Sequence, residues 1–154
     1  MSKKQVKRMI IMLQLFLIGA LFLPAGTIIG NTSTHDTSLS VFQMINRYAG
    51  MGFSDDALFY MIMACAFPTL IIFFVIVLKE RKNFGVSVVL CALYTTASSC
   101  FYSAAKRKMV DYATMTYLPY IIIFISLISL ILLILGFFMA APADGDADSE
   151  KRSN

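Results

Sequence analysis

Asp55 and Asp56 stand side by side after Ser54, His35 is followed by Asp36, and Ser87, Cys91, Thr95, Ser99 and Ser103 recur at every fourth position. Each pattern could carry chemistry. Paired carboxylates bind divalent cations or divide acid and base work. An imidazole beside an acid can activate a serine. Hydroxyls repeated along a helix can line a polar path.

Spacing decides against most of these. Adjacent helical positions point about 100° apart, so Asp55 and Asp56 do not converge on one ion without further ligands. With Ser54 as N-cap they read as the acidic first turn of a helix. His35 is the sole histidine, and no thiol lies near it in the sequence, so it reads as a solvated loop residue. The three cysteines, Cys65, Cys91 and Cys100, fall inside apolar stretches, where they read as packing residues. No catalytic residue, metal ligand or cofactor-binding motif is expected, and the chain is read as no enzyme.

The elements that must position these residues are four apolar stretches, roughly Met9–Ile29, Ala57–Leu78, Phe84–Ala104 and Leu118–Ala140. A helix rises about 1.5 Å per residue, so some 20 apolar residues cross a hydrocarbon core of about 30 Å. Hydrophobic residues make up 58% of the chain and charged residues 14%, against about a quarter charged in a soluble domain. The expected fold is an all-α integral membrane bundle of four transmembrane helices. Residues 1–140 form this single domain, and 141–154 form a disordered acidic and polar cytoplasmic tail. The first stretch has the basic start of a signal peptide. Leu23-Pro24-Ala25-Gly26 lacks a small-x-small cleavage pattern, so the stretch is expected to be retained.

Charge sets the orientation. Lys3, Lys4, Lys7 and Arg8, then Lys79, Arg81 and Lys82, then Lys151 and Arg152 put nine basic residues on one side. Arg47 and the run Lys106, Arg107 and Lys108 put four on the other. The positive-inside rule places both termini in the cytoplasm, with the plasma membrane as the expected site. The excess of basic residues follows the ends of the apolar stretches, so it reads as lipid headgroup contact and gives no nucleic-acid signal.

The first loop, about Gly30–Asp56, opens on a polar stretch expected to be irregular, with Asn31-Thr32-Ser33 as a glycosylation acceptor pattern. Ser38–Ala49 then reads as a short amphipathic helix capped by Ser38 and stopped by Gly50. It places Val41, Phe42, Ile45, Tyr48 and Ala49 on one face. Phe42, Ile45, Tyr48, Lys106, Arg107 and Lys108 are the candidates for contact with a partner or lipid at the outer surface.

The third stretch is filled with small and hydroxyl residues. Ser87, Cys91, Thr95, Ser98, Ser99, Tyr102 and Ser103 are its candidates for helix packing or pore lining, with Gln14 seeking an interhelical bond from the first stretch. This helix is expected at the centre of the bundle. The fourth stretch, apolar all round, is expected to be the most lipid-exposed. Pro24 and Pro68 are expected to kink the first and second helices.

Cytoplasmic ends, a longer first outer loop and a shorter second give a layout that resembles tetraspan proteins such as claudins. Their tryptophan and cysteine loop signature is missing, since this chain has no Trp and no Cys in either outer loop. No family property is carried over. The expected role is a non-catalytic accessory, assembly or regulatory subunit of a membrane complex, bound to lipids and to another membrane protein or itself, with no nucleic acid. The alternative is a homo-oligomeric channel or pore lined by the third span.

Overall fold

Long apolar runs broken by Gly, Pro and polar clusters make helices joined by short ordered segments. The computed structural model describes residues 3–29, 38–77 and 81–140. Asn31-Thr32-Ser33, His35, Asp36, Lys79 and the tail 141–154 lie outside the described residues.

The chain is mostly helical: α1 Lys3–Ala20, β1 Pro24–Ile28, β2 Ser38–Ser40, α2 Val41–Gly50, α3 Ser54–Val77, α4 Arg81–Lys108, β3 Ala113–Met115 and α5 Leu118–Met139. Three helices, α3, α4 and α5, are long and apolar enough to cross a membrane. The long helices pack in a ring: α1 touches α3 and α5, and α4 touches α3 and α5. An apolar cluster near the sheet includes Leu17, Ala64, Tyr94 and Ile122. A second, toward the chain termini, includes Val6, Ile71, Phe84 and Leu133.

The first apolar stretch does not run on as helix to Ile29. It ends at Ala20, and Pro24 opens a strand instead of kinking a helix. Proline at the first residue of a strand loses little, because its missing N–H falls where pairing begins. The end of the first apolar stretch, the start of the expected amphipathic helix and part of the last loop instead form a three-stranded antiparallel sheet of order β2-β1-β3. Gly26 lies opposite Met115, and a side chain there would press to 3.0 Å from the Thr114 carbonyl oxygen. Thr27 and Thr114 pair across the strands, hydroxyl to hydroxyl at 2.7 Å.

Helix α2 starts later than the Ser38 cap predicts. Ser40 is the N-cap: its hydroxyl accepts from the Gln43 N–H, and Gln43 Oε1 accepts from the Ser40 N–H. This reciprocal pair satisfies two donors at the helix start. The N–H groups of Val41 and Phe42 donate to the carbonyls of Leu23 and Leu21, which ties the start of α2 to the turn between α1 and β1. The chain reverses after α2 at Gly52, with φ +95°, and not at Gly50, which is the last helical residue.

Ser54 is the first residue of α3 rather than its cap, and the Phe53 carbonyl accepts from the Ala57 N–H. Pro68 is buried within α3, which continues on both sides of it. Helix α4 reaches beyond the predicted Phe84–Ala104 at both ends.

Neither centre nor periphery separates α4 from α5. In each of α3, α4 and α5, one third (33%) of the most apolar stretch is buried. A ring gives every member two neighbours and one outward face, so no helix is enclosed.

Candidate functional site

The inward face of α4 carries a polar cluster. Ser87, Cys91, Thr95, Ser98 and Tyr102 are buried there. The strict four-residue stripe does not hold: Ser99 is half-buried and Ser103 is exposed. Four residues advance a helix by about 400°, so each step drifts about 40° from the last. Over four steps the stripe leaves the packed face.

Thr95 and Cys91 meet α5 at Ser126. The Thr95 hydroxyl lies 2.8 Å from the Cys91 carbonyl and 3.1 Å from Ser126 Oγ, and its one proton serves either. The Cys91 thiol donates to the Ser126 carbonyl at 3.5 Å. Gln14, fully buried on α1, donates to Ser129 Oγ on α5. Ser126 and Ser129 are hydrogen-bonding partners within the stretch expected to be apolar all round. Their spacing of three residues, which puts both on one helical face, is the signal that marks them. Gln14 Oε1, Ser87 Oγ, the Tyr94 hydroxyl and Ser98 Oγ are buried and find no hydrogen-bond partner among the described residues.

The Gln14–Ser129 bond predicts modest coupling. A double-mutant cycle of Gln14→Leu and Ser129→Ala, read by unfolding in detergent, is expected to give about 0.6 kcal/mol, the average for interhelical bonds in membranes. Zero coupling would mean that the two groups do not pair.

An aromatic cluster joins α2, α3 and α4 at the sheet end. Tyr60 stacks on Phe101 with centroids 4.1 Å apart, and its hydroxyl donates to that of Tyr102 at 3.0 Å. Tyr48 stacks on Phe53 at 4.9 Å and meets Phe101 edge-on at 5.4 Å. Ile45 and Tyr48, candidates for outside contact, are therefore turned into the core, whereas Phe42 is exposed. Phe42 leaves their face because it stands one position after buried Val41, about 100° around the helix.

The three basic residues ending α4 fan apart. Lys106 donates to the Tyr120 hydroxyl at 3.1 Å, Arg107 folds back on the Ser103 carbonyl at 3.3 Å, and Lys108 lies 5.2 Å from the Phe53 ring centroid. They form no single patch.

A groove of about 220 Å³ is lined by residues of α3 and α4 and by Tyr48 of α2. Phe59, Tyr60 and Phe101 are its aromatic walls, and Ala97, Cys100 and Ala104 its small-residue floor. Asp56 lines it as well. Asp55 and Asp56 are both exposed, and neither makes an ion pair with a described residue. Burial raises the Tyr48 phenol above its ordinary range, with Asp56 adding to the rise and Arg107 offsetting it. Among the described residues, no three His, Cys, Asp or Glu side chains group as metal ligands.

Compared with known proteins, the chain matches no family model, no curated protein and no solved structure.

Proposed function

We propose that this chain is a four-span plasma-membrane protein that acts by interaction, as a non-catalytic accessory, assembly or regulatory subunit of a membrane complex. Helix α1 is the fourth span. Its 18 residues rise about 27 Å, with Lys3, Lys4, Lys7 and Arg8 in the first two turns at the headgroup end. Its buried residues run from Val6 in the terminal cluster to Leu17 and Ala20 in the sheet-end cluster. Both termini lie in the cytoplasm, in line with the nine-to-four excess of basic residues. The sheet and the amphipathic α2 then face outward.

The observation that carries the reading is the ordered platform at the sheet end. Its loops fold into strands and a capped helix, and it leaves Phe42, Tyr112 and Tyr117 exposed. Large aromatic side chains held on a fixed surface beyond the long helices suit recognition of a neighbouring membrane protein. The pore alternative draws less support. The buried Ser87, Cys91, Thr95, Ser98 and Tyr102 point among the chain's own helices, and Thr96 and Ser99 bond back to carbonyls of α4 itself.

Site-specific photo-crosslinking in intact cells tests this. A photoreactive residue at Phe42 or Tyr117 is expected to capture one partner of discrete mass. The same residue at Phe124, exposed on α5, is expected to capture lipid alone. Self-adducts alone, with ion flux in liposomes that Thr95→Val and Ser99→Val change, would favour the pore.

A further inference from the structure

The groove lined by Tyr48 combines features that an acyl-chain slot does not require. It lies at the sheet end of two helices apolar enough to span the membrane, where hydrocarbon gives way to headgroups. Its floor is small and its walls aromatic, which suits a chain lying along it. Asp56 lines it without an ion pair to a described residue. Arg107 and Lys108 end α4 on the same side of the molecule, with Lys108 over the Phe53 ring that stacks on Tyr48. An anion and aromatic faces therefore line the groove, and two cations stand beyond it at the end of α4.

We propose that this groove binds a zwitterionic phospholipid, with its ammonium beside Asp56 and the aromatic rings, its phosphate toward Arg107, and an acyl chain along Ala97, Cys100 and Ala104. An ammonium gains from both a carboxylate and ring faces, and a guanidinium donates well to phosphate. A second transmembrane helix fits less well. An apolar helix would leave the Asp56 carboxylate, which lines the groove, facing hydrocarbon.

Cys100 lines the groove and is exposed, which makes it a reporter. The full chain carrying Cys65→Ala, purified in a maltoside detergent, is alkylated with N-ethylmaleimide and the modified peptide followed by mass spectrometry. Short-chain phosphatidylcholine is expected to slow Cys100 alkylation about tenfold relative to phosphatidylglycerol of equal chain length. Asp56→Asn is expected to abolish that preference while leaving the lipid-free alkylation rate of Cys100 unchanged. Equal protection by both lipids, or by neither, would overturn the proposal. So would protection that grows with protein concentration in the absence of lipid, because a second copy would then fill the groove.

Discussion

Gly136→Ala is expected to lower stability by about 1–2 kcal/mol, although alanine is the better helix former. Gly136 on α5 faces Phe84 on α4. A Cβ there would come within 2.8 Å of Phe84 Cδ1, with Cε1 nearer still. Phe84 is 1% exposed and belongs to the cluster of Val6, Ile71, Val75 and Leu133, so its ring has little room to turn away. Overpacking of this kind costs about 1–3 kcal/mol and exceeds the gain of up to about 1 kcal/mol from replacing glycine in a helix. Thermal unfolding in detergent, followed by circular dichroism, measures the loss. Phe84→Leu is destabilising alone but is expected to recover stability in the Gly136→Ala background. An unchanged melting temperature for Gly136→Ala would mean that α4 and α5 do not approach as closely as described.

Tyr60→Ala is expected to be the more damaging change, at about 3 kcal/mol. Removing a buried aromatic from a water-soluble core costs about 3–5 kcal/mol. In lipid the transfer part of that cost fades, because acyl chains are as apolar as the core, while the lost packing remains. Tyr60 is 2% exposed, and its ring lies within 3° of parallel to that of Phe101. Tyr60→Phe keeps the stack and removes only the bond to Tyr102, a loss of about 1 kcal/mol. The gap between the two variants, read by the same unfolding assay, separates packing from hydrogen bonding. Equal effects would assign the stability to the hydroxyl alone.

The spanning helices were legible because length and hydropathy are summed over some 20 residues and tolerate local noise. Leu118 and the Pro119 that follows it mark the start of α5, and Ser54 with its two acids marks the start of α3. The strands escaped for the opposite reason. Ala113–Met115 has three residues, too few to show alternation, and Thr27 and Ile28 read as the end of an apolar helix. Their pairing joins residues nearly ninety positions apart, which no local pattern records.

The candidate polar residues were half legible. Composition marked α4 as the helix with hydroxyls to bond, yet the period of four blurred which of them face inward. Ser98 and Tyr102 lie on the packed face and Ser103 does not. The groove drew on residues from three elements. Asp56 looked like a capping residue, Tyr48 like a surface contact and Cys100 like filler, and only the fold places them around one space.

The sidedness of the chain tests the central claim most directly, because the outward platform and its partner both depend on α1 crossing the membrane. Single cysteines at Ser2, Thr114 and Ser153, in a chain with Cys65, Cys91 and Cys100 replaced, can be labelled in intact cells with a membrane-impermeant maleimide. Labelling at Thr114 alone, with Ser2 and Ser153 reacting only after permeabilisation, is the predicted result. Labelling of Ser2 together with Thr114 in intact cells would show that α1 does not span, and would contradict the account.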